Sequence, residues 1–179
     1  MSSMNIKKLV KLSKEGSSKA FGELYELYSK EMYNFAYYYL GDTYSAQDAV
    51  SDTVCDAFAG VGSLKNDSAF KSWLFKILLR NCQKQLSYII ERRNTADIEE
   101  QTNLKEDLAD IQLHTELEQA LSMISQEERQ IVLLSVVCSY NSREIGEMMS
   151  IPPGTVRSKL SRATDKLYAI MNEERSIAK

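Results

Sequence analysis

The residues of this chain whose types and spacing could do chemistry are concentrated in one short segment, 153–166. It holds four cations and one anion, and its polar side chains avoid the apolar helical positions. Those polar residues are Thr155, Arg157, Ser158, Lys159, Ser161, Arg162 and Lys166. In a helix that enters the major groove of DNA, long donors near the N-terminus reach base edges, and flanking cations hold phosphates. The segment therefore predicts recognition of duplex DNA, and the alternative is an ordinary solvated helix face.

The sequence before this segment supplies the geometry that such a helix needs. Ser142–Met149 has the length of a short helix, Ser150-Ile151-Pro152 forms a three-residue turn, and a longer helix starts at Pro153. Proline is favourable there, because its missing N–H has no intrahelical partner at a helix start. The pattern predicts a helix-turn-helix, although a helical hairpin with a charged exterior would share it.

The rest of the chain is organised as two helical regions. Apolar residues recur at helical spacing nearly everywhere, which predicts three helices before residue 90 and four after residue 110. Residues 91–110 are poor in apolar side chains and rich in acidic ones, as expected of a linker. The predicted fold is all-α: two small helical domains, 1–90 and 111–179, joined by an acidic linker, 91–110, with the helix-turn-helix in the second domain.

Capping residues predict where three of these helices begin. In each case a serine or asparagine is followed three residues later by an acidic residue, which is the spacing of a capping box. The pairs are Ser45 with Asp48, Ser125 with Glu128, and Asn141 with Glu144.

Charge and hydropathy exclude several classes of protein. The 179 residues include 22 Lys and Arg against 25 Asp and Glu, a net charge of -3, whereas a purely electrostatic nucleic-acid binder would be basic. Cations are concentrated only in two windows, 65–84 and 153–166. No apolar run reaches the roughly 18 residues of a membrane span, and the first residues lack the apolar core of a secretory signal. We therefore expect no membrane insertion.

Side chains that could bind a metal or act in catalysis are few and scattered. Cys55, Cys82 and Cys138 lie in apolar helical patterns, which predicts buried thiols in a reducing cytoplasm rather than disulfides or a zinc site. His114 is the only histidine. It has no Cys or acid constellation beside it, and no glycine-rich phosphate loop is present. We expect no enzyme activity, no metal site and no cofactor.

Several segments together resemble one known family. YNSREIGEMMSIPPGTVRSKLSRATDKL resembles the promoter-reading helix-turn-helix of bacterial sigma factors of the extracytoplasmic-function group. SAQDAVSDTVCDAF resembles the polymerase-binding helix of that family, and DSAFKSWLFKILLRN resembles its segment for recognising and melting the upstream edge of the transcription bubble. The resemblance covers nearly the whole chain, with the segments in the family's order.

The resemblance implies a non-enzymatic protein that binds core RNA polymerase, directs it to a promoter and helps to open the DNA. It assigns reading of the minus-35 element to Pro153, Thr155, Arg157, Ser158, Lys159, Arg162 and, on a phosphate, Lys166. It assigns recognition of the minus-10 element, with a base flipped into a loop pocket, to Lys65, Asn66, Asp67, Ser68, Phe70, Lys71, Trp73, Lys76 and Arg80. Flipping a base costs a few kcal/mol, so a polar pocket with nearby cations is physically reasonable.

The resemblance also implies protein partners. Asp48, Asp52 and Asp56 recur at i, i+4 and i+8 and so share one helix face; the resemblance makes that face the core polymerase-binding surface. Family members are cytoplasmic, and most are held inactive by an anti-sigma factor. The pair Arg80-Asn81 falls one residue later than in the family pattern, which turns it about 100° around the helix.

Two other classes of protein remain open at this point. One is a helix-turn-helix regulator that binds DNA without acting as a sigma subunit. The other is an all-helical adaptor that binds only protein, which would show no salt-dependent affinity for DNA.

Overall fold

The computed structural model describes the backbone of residues 3–95 and 111–177 and the side chains of residues 5–92 and 116–172. Within these ranges the regular secondary structure is helical and no strand is present, so the predicted all-α fold is confirmed. The chain divides into two compact units, Met1–Tyr88 and Ile89–Lys179. Most of the predicted linker lies outside the described residues.

The first unit contains four helices rather than the three predicted. They are α1 (Ser3–Lys14), α2 (Ser18–Leu40), α3 (Thr43–Gly60) and α4 (Phe70–Thr95), with two short 3-10 turns, Val61–Ser63 and Asp67–Ala69, between α3 and α4. Helix α1 was not predicted, because lysines dilute its apolar positions. Its buried face is narrow, and consists of Leu9, Val10 and Ser13 among the described side chains.

Aromatic side chains form the core of the first unit. Phe35 and Tyr39 of α2 are fully buried and stack with ring centroids 5.9 Å apart. Phe75 of α4 meets Phe35 edge-on at 6.4 Å. Burying a side chain of this size stabilises a fold by about 1.5–3 kcal/mol, and the contact between Phe35 and Phe75 helps to hold α4 against α2.

Two expectations about α3 are wrong. The helix begins at Thr43 rather than after Ser45, because the Asp42 carboxylate accepts the Ser45 N–H at 2.8 Å and acts as the N-cap. Gly41 before it has a φ of 80° and ends α2. Cys55 is exposed, whereas Cys82 and Cys138 are buried as expected.

The second unit also contains four helices in its described part. They are α5 (Ile111–Ser122), α6 (Gln126–Val136), α7 (Ser142–Met149) and α8 (Pro153–Ile177). Both predicted capping boxes are present, at Ser125 and at Asn141. Helix α8 contacts each of the other three. Ile131, Leu134, Ile145 and Val156 are fully buried and form the core that holds α7 against α8.

Candidate nucleic-acid interface

The helix-turn-helix is closed by a tight turn at residues 150–152. Ser150 adopts a left-handed conformation with a φ of 58°, and its N–H bonds the Gly146 carbonyl. Ile151 donates to the same carbonyl at 3.0 Å. A Cβ added to Gly146 would lie 2.6 Å from the Ile151 carbonyl oxygen, so only glycine fits here without a shift of the backbone. Pro153 then starts α8 as predicted.

The outer face of α8 presents two arginines. Arg157 and Arg162 are exposed, and neither forms an ion pair in the described part of the chain. Arg162 Nε donates to the Ser158 carbonyl at 3.1 Å, and Ser158 Oγ donates to the Thr155 carbonyl at 3.0 Å. Pro153 is also exposed, and Thr155 is half-buried. This face carries two guanidinium groups that form no ion pair with any acid in the described part of the chain.

The two lysines of the predicted set lie elsewhere on α8. Lys159 Nζ is 2.5 Å from Glu127 Oε2, and Lys166 Nζ is 2.7 Å from Glu128 Oε1. Both acids belong to the first turn of α6. The structure therefore separates the predicted minus-35 residues into an outward group and a pair of lysines that form ion pairs with acids of α6.

Glu128 connects the α6 cap to α8. Its Oε2 accepts the N–H and the hydroxyl of Ser125 at 3.0 and 2.8 Å, while Oε1 accepts from Lys166. The Lys166 ammonium, followed by the two Ser125 donors, lowers the pKa of Glu128 from 4.5 to about 2. Because the folded state favours the ionised form, this stabilisation is complete above about pH 4.5 and is lost as the pH falls towards 2.

We expect Glu128→Gln to destabilise the second unit by about 1–2 kcal/mol at pH 7, the sum of a weakened cap and a lost surface ion pair. The difference from the unmodified protein should shrink between pH 4.5 and pH 2. Urea unfolding at several pH values measures this. Glu147→Gln on α7 is the control, because it removes the same charge from an exposed residue. An equal loss of stability in both variants would contradict the role of Glu128.

The predicted minus-10 loop is held by contacts within its own unit. Lys65, Asn66 and Ser68 are exposed. Asn66 Oδ1 accepts the Ser68 N–H at 3.0 Å and so caps the second 3-10 turn. The Asp67 carboxylate forms an ion pair with Lys14 of α1. Leu64 is buried and anchors the start of the loop.

The predicted minus-10 residues on α4 differ in accessibility. Phe70 is buried, with 1% exposure, and its ring lies 5.8 Å from that of Trp73, which is half-buried. Lys71 Nζ is 2.6 Å from Glu31 Oε1 of α2, and Lys76 is exposed. Phe70 thus belongs to the core in this conformation, while Lys76 is exposed to solvent.

Arg80 is directed towards α3. Its Nη2 lies 2.8 Å from Asp56 Oδ2. Asn81, which is buried, donates to the same oxygen at 3.1 Å and to Thr53 Oγ1 at 3.2 Å. These contacts, that from Asn81 foremost, lower the pKa of Asp56. The pair Arg80-Asn81 therefore joins α4 to α3.

The acidic stripe on α3, formed by Asp48, Asp52 and Asp56, is partly occupied by ion pairs with α4. Asp56 is paired with Arg80, and Asp52 Oδ2 is 4.0 Å from Lys84 Nζ of α4. Asp48 is exposed and has no ion pair in the described part of the chain. Lys84 was noted in the sequence only as a cation of the window 65–84, and Asn81 only as part of the displaced Arg80-Asn81 pair. Their contacts with α3 were not predicted.

Neither a metal-binding cluster nor a membrane-spanning helix is present among the described residues. No group of three His, Cys, Asp or Glu side chains there could hold a metal ion. No helix there has both the length and the apolar character needed to cross a membrane. The side chain of His114, in α5, lies outside the described residues.

The fold and this surface define a helical protein of the helix-turn-helix class with an additional helical unit. Residues 24–88 match the family Sigma-70 region 2, and residues 114–167 match Sigma-70, region 4. These two regions occur in the order that the sequence analysis expected. The chain belongs to the sigma-70 family of RNA polymerase sigma factors, in the extracytoplasmic-function group.

Individual relatives agree with this assignment. The ECF RNA polymerase sigma factor SigW of Bacillus subtilis is 25% identical over 92% of this chain and 95% of its own length. The ECF sigma-E factor of Salmonella typhimurium is 26% identical over 89% and 90%. The solved structure of CnrH bound to the cytosolic domain of CnrY superposes with a TM-score of 0.77 at 18% identity, covering 94% of this chain and 98% of that one. That likeness concerns the fold alone.

Proposed function

We propose that this chain binds core RNA polymerase and directs it to particular promoters, reading the minus-35 element with α8 and recognising and melting the minus-10 element with the first unit. Membership of the sigma-70 family makes it a promoter-specific transcription initiation factor. The observation that supports the division of labour is the outer face of α8, where Arg157 and Arg162 have no acidic partner among the described residues. In this proposal the domains are 1–90 and 111–179, with 91–110 as linker.

Reading of the minus-35 element falls to the outward group on α8. Arg157 and Arg162 would donate to base edges, since a guanidinium can bind guanine O6 and N7 together. Pro153, Thr155 and Ser158 would lie against the backbone and bases around the helix start. Lys159 and Lys166 would reach phosphates only by exchanging their carboxylate partners for them.

Recognition of the minus-10 element falls to the loop and to the adjoining part of α4. The exposed Lys65, Asn66 and Ser68 would contact the flipped base and its flanking phosphates, because their side chains face solvent. Lys71, Trp73 and Lys76 would support the displaced strand. Asp67, Phe70 and Arg80 are engaged within the protein and would act through the shape of the loop and of α4.

Binding to core polymerase falls to the acidic stripe on α3. Asp48 forms no ion pair among the described residues and can pair with a cation of the polymerase. Asp52 and Asp56 are already paired with Lys84 and Arg80. Neutralisation in the free protein reduces the electrostatic contribution of those two acids to binding. We therefore assign the larger share of that contribution to Asp48.

An anti-sigma factor is the proposed regulatory partner. The sigma factor RpoE of Bartonella quintana, solved in complex with the anti-sigma factor NepR, superposes with a TM-score of 0.71 at 24% identity. It covers 86% of this chain and 98% of that one. The place of action would be the cytoplasm, where promoter and polymerase meet. The chemistry of RNA synthesis would remain in the polymerase, and this chain would supply no catalytic residue.

Transcription with core RNA polymerase tests the proposed function directly. The purified chain should produce promoter-specific transcripts from the source genome. Binding to promoter duplex without any transcript would instead indicate a regulator that is not a sigma subunit. A folded chain without salt-dependent DNA affinity would indicate an adaptor that binds only protein.

A further inference from the structure

Helix α1 has no role in the proposed function, although it packs against the loop proposed to recognise the minus-10 element. It contacts both 3-10 turns between α3 and α4. Leu9 and Val10 on α1 are buried, as are Val61 and Leu64 at the start of the loop. The helix thus lies directly behind the segment that carries Lys65, Asn66 and Ser68.

One ion pair joins the end of α1 to this loop. Lys14, the last residue of α1, contacts Asp67, the first residue of the second 3-10 turn. The two side chains are 24% and 32% exposed, so both are largely covered. They are 53 residues apart in sequence, so the contact fixes the position of the loop relative to a distant segment.

The ion pair changes what Asp67 can do. Its Oδ1 is occupied by an ammonium group, whereas the neighbouring Lys65, Asn66 and Ser68 are exposed. A carboxylate held in this way is poorly placed to accept hydrogen bonds from a base. An ion pair with this exposure adds little to global stability. It can still improve binding at a neighbouring site, because a loop whose supporting contacts are fixed in advance already has the geometry that the ligand needs.

We propose that Lys14 and Asp67 are positioning residues that hold the loop 64–69 in the conformation that receives the flipped minus-10 base. The inference rests on the proposed function, because it assigns a role to a contact behind the proposed minus-10 site. Asp67 acts here through the loop, and the exposed residues beside it meet the DNA.

The test uses the complete chain assembled with core polymerase. Transcription is measured on the promoter that the unmodified protein uses and on templates with single substitutions in the minus-10 element. Lys14→Met and Asp67→Asn should each lower transcription from the matched promoter by about 3- to 20-fold, the range expected when a supporting contact is coupled to a binding site. Both should also reduce the ratio of matched to mismatched transcription.

Lys11→Met is the matched control. It removes one lysine charge from the same helix, but Lys11 is exposed and forms no ion pair among the described residues. It should transcribe like the unmodified protein. The double variant Lys14→Met/Asp67→Asn should transcribe no less than either single variant, because each single substitution already removes the whole ion pair. The exchange Lys14→Asp/Asp67→Lys should restore part of the minus-10 discrimination.

Three results would overturn the inference. Equal transcription by the Lys14→Met and Lys11→Met variants would show that the ion pair does not matter. A loss confined to Asp67→Asn would make Asp67 a direct base contact. Additive losses in the double variant would show that the two residues act separately. Failure of the proposed function is distinguishable, because the unmodified protein would then give no promoter-specific transcript at all.

Discussion

Replacing Arg157 or Arg162 with alanine is expected to weaken binding to minus-35 duplex by about 1–3 kcal/mol for each arginine, the value of a bidentate contact to a base. Both side chains are exposed on the outer face of α8 and have no acidic partner in the described structure. Binding to core polymerase should not change, because the proposed polymerase surface lies in the other unit. Titration of labelled duplex at several salt concentrations measures the loss.

Arg157→Lys separates the two ways in which an arginine can contribute. Lysine keeps the charge but loses the planar fork that binds one base at two points. We expect this variant to retain the salt dependence of binding and to lose discrimination at one base pair. If alanine and lysine variants differ only in salt slope, Arg157 contacts phosphate rather than a base. If the alanine variants lose polymerase binding as strongly as DNA binding, the domain assignment is wrong.

Gly146→Ala is expected to destabilise the helix-turn-helix by about 1–3 kcal/mol, as overpacking of a well-packed site does. The added Cβ would lie 2.6 Å from the Ile151 carbonyl oxygen and 3.5 Å from the Pro153 nitrogen. The gain in helix propensity from glycine to alanine, about 1 kcal/mol, is already included in such a net loss. The turn must open to admit the methyl group, so α7 and α8 amides should exchange hydrogen faster.

Gly22→Ala is the matched control, because Gly22 lies within α2 and nothing stands within 4 Å of its added Cβ. This substitution should stabilise the protein by about 0.4–1 kcal/mol, since alanine has less conformational freedom in the unfolded chain. Urea unfolding and hydrogen exchange on both variants give the comparison. Unchanged exchange in α7 and α8 of the Gly146→Ala variant would contradict the close approach at the turn.

Local signals in the sequence predicted much of the fold. The capping boxes at Ser125 and Asn141 were predicted from residues three positions apart, and both are present. The turn at Ser150-Ile151-Pro152 followed from the prolines beside it. The start of α3 was misplaced because Asp42 and Ser45 are both good caps, and only the hydrogen bond from Ser45 N–H to Asp42 decides between them. Helix α1 was not predicted because lysines interrupt its apolar positions.

Local signals could not predict which candidate site residues form ion pairs. The spacing placed Lys159 and Lys166 on a polar face with the arginines, but it could not show that Glu127 and Glu128 lie opposite them. Arg80 was likewise assigned to DNA by resemblance, while its guanidinium pairs with Asp56 on another helix. These partners are 24 to 38 residues apart in sequence.

The sequence by itself determined the all-α class and the helix-turn-helix, because caps, turns and apolar spacing act within a few residues. The sigma-factor family was indicated by the resemblance of whole segments to that family. Only the tertiary structure decided which charged side chains are free. An ion pair depends on how two helices pack, and packing is a property of the whole core. Among the described residues, Arg157 and Arg162 of α8 and Asp48 of α3 form no ion pair. Lys159 and Lys166 of α8 and Asp52 and Asp56 of α3 do form ion pairs.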